Sequence, residues 1–211
     1  MLKLIDVSKV YDGNAVLRGI SLEVDDLVGI YGPNGSGKST LLRIIAGIER
    51  PTCGRILFEN KDITGLPPQR IAKMGIATVF QIPRPFKRMT VVENIAAVVA
   101  DRGYREAVDE AYRICRFIGL DGVTETLASR LSQGELKLLE IGKALALNPK
   151  FMLIDEPFSG LDVENARKVV RLVRKIKKKG IPGIITAHRM KLLRDVADRC
   201  YEIRGGKIAE S

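Results

Sequence analysis

The sequence predicts an α/β fold with a parallel core sheet, an N-terminal antiparallel β layer and an inserted helical segment. Three observations carry that expectation. The apolar run Leu27, Val28, Gly29, Ile30, Tyr31 leads into a glycine-rich loop, after which Leu41, Leu42, Ile44, Ile45 and Ile48 recur at helical spacing. A second apolar run, Phe151-Met152-Leu153-Ile154, ends in Asp155-Glu156, as a buried strand does at the ligand edge of a parallel sheet. Between the two, residues 90–147 are dominated by helical periodicity.

Taken in order, residues 2–7 alternate apolar and polar and predict a strand. Tyr11 follows, then the turn Asp12-Gly13-Asn14, and Val16, Leu17, Ile20, Leu22 and Val24 continue in strand-like alternation. Asp25-Asp26 turns the chain into the strand before the glycine loop, so the first thirty residues predict a β layer feeding a central parallel strand. Gly47 marks the end of the first helix, and Arg50-Pro51-Thr52-Cys53-Gly54 is a turn. Arg55-Ile56-Leu57-Phe58 predicts a strand, Asn60-Lys61-Asp62 a turn, and Pro67-Pro68 opens a short helix over 69–73. Ile76 to Phe80 is a buried β run ending at Gln81. Ile82-Pro83-Arg84-Pro85 cannot continue it, because proline lacks the donor and restricts the residue before it.

Thr90 is a candidate N-cap, with Glu93 three residues on and Val91, Val92, Ile95, Ala96 and Val99 at helical spacing. Glu106 to Ile118 repeats the pattern and ends at Gly119. Leu136, Leu139, Ile141 and Leu145 make a third helix after Ser132-Gln133-Gly134-Glu135. The chain therefore divides into a core, residues 1–81 and 148–211, and a helical subdomain, residues 82–147. After the Phe151–Ile154 strand come a helix over Val163–Lys179, a strand over Ile184–Ala187 and a helix over Met190–Val196. Residues 200–203 and 207–209 flank Gly205-Gly206 as a hairpin.

At 211 residues the chain suits one domain with a subdomain. No run of eighteen apolar residues is present, so no membrane-spanning helix is expected. The opening MLKLIDVSKVYDG lacks the apolar core and cleavage site of a signal peptide. Cys53, Cys115 and Cys200 have no metal-type spacing, which points to a reducing, cytoplasmic setting. The net charge of +10 suits nucleic acid, an anionic membrane surface or simply a solvated basic face. Its densest run, Arg171 through Lys179, has no interleaved aromatics, so it offers no base-stacking surface.

The loop Gly32-Pro33-Asn34-Gly35-Ser36-Gly37-Lys38-Ser39-Thr40 fits the P-loop pattern in the strand–loop–helix setting that gives it meaning. Its glycines let successive N–H groups turn inward, and the helix start at Lys38 adds free N–H groups and a positive dipole end. Lys38 is expected to reach the β- and γ-phosphates and Ser39 to ligate Mg²⁺. Asp155, at the end of a buried strand, is placed to hold Mg²⁺, and Glu156 to polarise the attacking water. His188, the only histidine, follows the Ile184–Ala187 strand and is expected on the same sheet edge beside Glu156.

The order P-loop, Leu131-Ser132-Gln133-Gly134-Glu135, helix, Phe151–Glu156, Ser159-Gly160-Leu161-Asp162, His188 resembles the ATPase subunits of ABC transporters over essentially the whole chain. Leu139-Glu140-Ile141 and Asn148–Asp162 are most similar to ATPases of branched-chain amino-acid importers and of lipopolysaccharide export. The resemblance implies a P-loop NTPase with a RecA-like core sheet, binding ATP and Mg²⁺. It implies that Tyr11 stacks on adenine and that Gln81 senses Mg²⁺ and links the nucleotide to the helical subdomain. It also implies that Ser132 and Gly134 contact the γ-phosphate held by a second copy and that Asp162 lies at the dimer contact. Asp155 and Glu156 match the Walker B pair, and His188 matches the switch histidine at the γ-phosphate. Gln133 and Glu135 replace the usual Gly and Gln, Leu136 and Leu138 stand where polar or basic residues are usual, and Asp25-Asp26 lacks the usual glycine.

The function so implied is ATP hydrolysis that drives transport through a separate membrane permease by closure of a homodimer or heterodimer. The permease would dock near Gln81–Arg88, a substrate-binding protein is a further possible partner, and the chain would lie on the cytoplasmic face of the membrane. A soluble ABC-type ATPase acting on nucleic acid or a ribosome is the alternative that the charge admits, although no specific nucleic acid is expected. A P-loop kinase would leave residues 131–135 unexplained, and intact Glu156 and His188 argue against a module without turnover.

Overall fold

The structure, a computed structural model, describes the backbone of residues 1–211 and every side chain except that of Arg102. The chain opens with a hairpin of β1 (Leu2–Tyr11) and β2 (Asn14–Val24), paired from Leu2↔Val24 to Tyr11↔Asn14. β1 is longer than the alternation over residues 2–7 suggests, because bulges interrupt its period. Asp6 sits in the left-handed region (φ 51°), and a Cβ on Gly19 opposite would lie 2.7 Å from Asp6 Oδ1. β3 (Leu27–Tyr31) and α1 (Lys38–Ile45) follow. β4 (Cys53–Phe58) and β5 (Lys61–Asp62) return to the first sheet, giving the order β2-β1-β4-β5. The turn expected at Asn60–Asp62 lies one residue earlier. Glu59 and Asn60 both take positive φ (49° and 63°), as a two-residue hairpin requires, and this frees Lys61 and Asp62 to pair.

α2 (Pro68–Lys73) leads to β6 (Ile76–Val79). Three α-helices, with short 3-10 turns between them, then stand between β6 and β7: α3 (Val91–Ala96), α4 (Tyr104–Ile118) and α5 (Gln133–Ala146). Gly119, left-handed at φ 80°, ends α4. The remaining elements are β7 (Phe151–Ile154), α6 (Val163–Lys178), β8 (Gly183–Ala187), α7 (Met190–Arg194), β9 (Arg199–Arg204) and β10 (Lys207–Glu210). α7 stops short of the expected Val196. The second sheet runs β10-β9-β3-β8-β7-β6, parallel except for β10.

This sheet is buried on both faces, which is why its strands read as unbroken apolar runs. Alternate residues divide between two cores. Phe151 and Leu153 of β7 face the antiparallel layer and α1, while Met152 and Ile154 face the helices α3 to α6. Phe58 of β4 meets Phe151 edge to face at 6.0 Å and joins the two sheets. The Asp25-Asp26 turn, where the family pattern has glycine, is clamped by Arg199: its guanidinium lies 2.8 Å from Asp25 and 2.9 Å from Asp26. The basic run of α6 is spread over its solvent side, with Lys177 paired to Asp198 at 2.8 Å and Lys179 over the Phe117 ring at 4.5 Å.

α3 is started by a reciprocal capping box: Thr90 Oγ1 accepts from Glu93 N at 3.2 Å, and Thr90 N donates to Glu93 Oε2 at 2.7 Å. Thr90→Ala should therefore cost about 1 kcal/mol. For a chain of this size that is a fall of roughly 2–4 °C in Tm, read by circular dichroism.

Candidate active site

The parallel sheet brings four chain segments to one edge. β3, β8, β7 and β6 are neighbours, and their C-terminal ends carry the glycine loop, His188, Asp155-Glu156 and Gln81 respectively. Ligands bind at this edge of an α/β sheet.

The loop is built by close approach. A Cβ on Gly32 would lie 2.3 Å from the Ile203 carbonyl oxygen, so only glycine fits. Gly37 begins α1 at φ 104° with no side-chain cap, and the first turn of α1 holds no acidic residue. The helix N-terminus thus keeps its free N–H groups and positive end for an anion. Ser36 Oγ is buried and has no hydrogen-bond partner among the described residues, which suits a hydroxyl that takes a phosphate oxygen. Residues Asn34 to Thr40 line a cleft of about 480 Å³ whose far wall is Gln81, Glu156, Ser159 and His188.

Lys38 is 4% exposed. Its ammonium donates to the Gly32 and Pro33 carbonyls at 2.8 and 3.0 Å and lies 3.4 Å from Glu156 Oε1. Glu156 is equally buried and is the meeting point of the site. Its Oε2 accepts from Gln81 Nε2 at 3.1 Å and lies 2.7 Å from His188 Nε2. Its backbone is left-handed (φ 44°), a costly conformation for a residue with a Cβ. Thr186 fixes it there: the Thr186 hydroxyl accepts from Glu156 N at 3.0 Å and donates to Asp155 Oδ1 at 2.7 Å.

Ser39, Gln81 and Asp155 line an adjoining cavity of about 110 Å³. Hydroxyl, carboxamide and a single carboxylate are hard oxygen donors of the kind Mg²⁺ takes alongside water and phosphate oxygens. Among the described residues no cluster of three or more His, Cys, Asp or Glu side chains could hold a metal by itself. The donor set fits a cation that arrives with a polyphosphate.

Of the other residues singled out from the sequence, Tyr11 stands beside the first turn of α1, its hydroxyl next to that of Thr40, and the rest lie elsewhere. Tyr11 donates to Glu49, and the ammonium of Lys9 sits 4.8 Å from its ring centroid. Burial and the Glu49 bond push its phenol pKa up, so it remains a neutral donor. Ser132 caps α5 with a second capping box: Ser132 Oγ accepts from Glu135 N at 3.3 Å, and Ser132 N donates to Glu135 Oε2 at 2.8 Å. Glu135, a departure from the family pattern, thus has a structural task. A Cβ on Gly134 would lie 2.3 Å from Asn165 Oδ1, and Asn165 is held by Asp162, whose carboxylate caps α6. The Asn165 N–H groups also keep the Asp162 carboxyl below its usual pKa. The fold therefore makes two clusters: Lys38, Gln81, Asp155, Glu156 and His188 in one, and Ser132, Gly134 and Asp162 in the other.

Three residues escaped the reading of motifs. Thr186 is the lone polar residue of a buried strand beside Asp155, and that isolation was the available signal. Lys137 is 4% exposed and donates to the Gln81 carbonyl oxygen. Its place on α5 between Gly134 and Ile141 was legible from helical spacing. Asn165 gave no signal.

The sheet order, the loop and the carboxylate pair at its edge define a P-loop nucleotide-hydrolysing enzyme. A family profile described as ABC transporter matches residues 17–159, and the chain belongs to that family. It is 33% identical to a probable branched-chain amino acid transport ATP-binding protein LivG of Archaeoglobus fulgidus, over 99% of this chain and 87% of that one. It is 32% identical to the lipopolysaccharide export system ATP-binding protein LptB of Escherichia coli K12, over 96% of this chain and 86% of that one. A nucleotide-free ATP-binding cassette of an ABC transporter superposes with a TM-score of 0.89 at 35% identity, covering 100% of this chain and 90% of that one. A dimeric cassette bound to ADP and Pi in a post-hydrolysis state gives 0.89 at 27% identity, covering 100% and 98%. The protein is an ATP-binding, ATP-hydrolysing subunit of an ABC transporter.

Thr186→Val keeps the shape of the side chain but leaves the Glu156 N–H and an Asp155 oxygen unpaired. It should cost about 1–3 kcal/mol in stability. The misplaced carboxylates should slow phosphate release about tenfold or more. Thermal unfolding and a phosphate-release assay measure the two effects.

Proposed function

We propose that this subunit is half of a two-site sandwich, formed as a homodimer or with another ABC ATPase, that drives solute transport through separate membrane permease subunits. The observation that carries the reading is the separation of the two clusters. Ser132, Gly134 and Asp162 do not line the cleft that Lys38 and Glu156 share, so within one chain the cleft lacks a wall. A second copy supplies it.

In this reading the loop N–H groups, Gly32 through Thr40, take the triphosphate, and Tyr11 stacks on the adenine. Phosphate oxygens draw Lys38 Nζ from the Gly32 and Pro33 carbonyls, which frees Glu156 Oε1 to accept a hydrogen bond from the attacking water. Gln81 and His188 keep the carboxylate oriented toward the attacking water, and His188 also meets the γ-phosphate. Ser39, Asp155 and Gln81 would hold Mg²⁺, which neutralises phosphate charge when bound. Hydrolysis breaks the phosphate bridge between copies and favours opening. Closure is driven only by the difference in ATP affinity between the open and closed states.

Residues 1–81 and 148–211 serve as the catalytic core, and residues 82–147 as a helical subdomain. The permease docks on the segment after β6, where Phe80, Ile82, Phe86 and Met89 stand exposed, Ile82 by 70%. No helix among the described residues is long and apolar enough to cross a membrane, which fits a subunit peripheral to the cytoplasmic face. The branched-chain amino-acid importer type, with its substrate-binding protein, is the assembly that the LivG relatives favour.

Glu156→Gln should keep ATP binding while hydrolysis falls about a hundredfold or more, and an ATP-bound dimer should accumulate on gel filtration. Hydrolysis at the wild-type rate would remove Glu156 from its role. Mixing a Lys38→Ala chain with a Ser132→Arg chain should restore activity through composite sites that carry neither change. No recovery would argue against the sandwich.

A further inference from the structure

A buried ammonium outside the P-loop has no part in the chemistry so far. Lys137 lies in the second turn of α5, on the face that also buries Gly134, Ile141 and Ala144. A leucine or methionine would fill that space without desolvating a charge, so the ammonium is retained at a cost that its partners must offset. Burial pushes its pKa down, and the nearby Asp155, Glu156 and Glu140 carboxylates oppose that shift. Among the described residues its one hydrogen bond goes to the main-chain carbonyl of Gln81.

That carbonyl belongs to a segment with few supports of its own. From Gln81 to Pro85 the main chain makes no backbone–backbone hydrogen bond among the described residues, and Pro83 and Pro85 lack donors, whereas Phe86 to Met89 are held by Asn94 of α3 and by the main chain of residues 128 and 129. α5 holds the stretch 81–85 instead. Lys137 binds Gln81 O, Glu140 Oε1 accepts from Arg84 N at 3.1 Å, and Lys143 Nζ donates to Arg84 O at 3.1 Å. The spacing of 137, 140 and 143 places all three along one side of the helix. At the other end of the linkage, the Gln81 side-chain amide donates to Glu156 at 3.1 Å.

We propose that Lys137 is a positioning residue for hydrolysis: it fixes the main chain of Gln81 so that the Gln81 amide orients Glu156. The inference rests on the catalytic reading of Gln81 and Glu156 above. The same helix begins at Ser132, so Lys137 physically joins the cluster that faces a partner copy to the carboxylate of its own site.

The test uses the full chain and separates kcat from KM. Lys137→Met should lower kcat about tenfold, with KM and the Kd of a fluorescent ATP analogue within about twofold of wild type. Lys137→Arg, which keeps a charged donor, should recover most of the loss. In a Gln81→Ala background Lys137→Met should add less than a twofold further loss, because the path to Glu156 is already cut. Should Lys137→Met fold poorly, Lys137→Gln, shorter and uncharged, is scored by the same split. A kcat within twofold of wild type, or an equal loss with and without Gln81, overturns the proposal. Glu156→Gln measured alongside distinguishes the two failures: if it is inactive while Lys137→Met is normal, only the role of Lys137 falls.

Discussion

A buried carboxylate at the edge of a parallel sheet is the constraint that the rest of this molecule serves. Glu156 is 4% exposed, and a charge so far from water must be paired and hydrogen-bonded. Its partners come from three places far apart in sequence: Lys38 after β3, Gln81 after β6 and His188 after β8. They meet because all of those strands run the same way and lie side by side. Thr186 binds both residues of the acidic pair and holds the left-handed backbone at Glu156. Local strain is thereby offset by neighbouring contacts, as at other functional sites.

The two faces of that sheet do different work. On one, the antiparallel layer and α1 make a continuous core around the phosphate loop. On the other, α5 packs close enough to send Lys137, Glu140 and Lys143 to the segment after β6. The helix therefore carries a capped N-terminus at Ser132 and, from its second turn onward, a grip on the segment after β6. Glu135 closes the cap, so a departure from the family pattern becomes part of the geometry rather than a defect in it.

Charge follows the same economy. The +10 net charge reads as a possible binding surface when counted along the chain. In the fold, the basic run of α6 is distributed over a solvent face, where its lysines meet Asp198 and the Phe117 ring. Pairs of this exposed kind contribute little to stability and imply no particular partner.

Much was legible beforehand. The alternation of 3.6- and 2-residue periods located nearly every helix and strand, because burial on one or two faces imposes those periods wherever the chain packs. The loop Gly32–Thr40, the acidic pair, His188 and the cap at Thr90 could be read because each depends on residues adjacent in sequence. Strand length at the Asp6 bulge, the pairing of Lys61 and Asp62, and the clamp of Arg199 on Asp25-Asp26 could not, since they are set by partners elsewhere in the chain. The sequence by itself determined which side chains are available for chemistry and on which kind of element each sits. Only the tertiary structure decided which of them meet. Strand order and helix packing are long-range choices, and they alone place Lys38, Gln81, Thr186 and His188 on Glu156, keep Ser132 and Gly134 apart from them, and bury Lys137 against the Gln81 carbonyl.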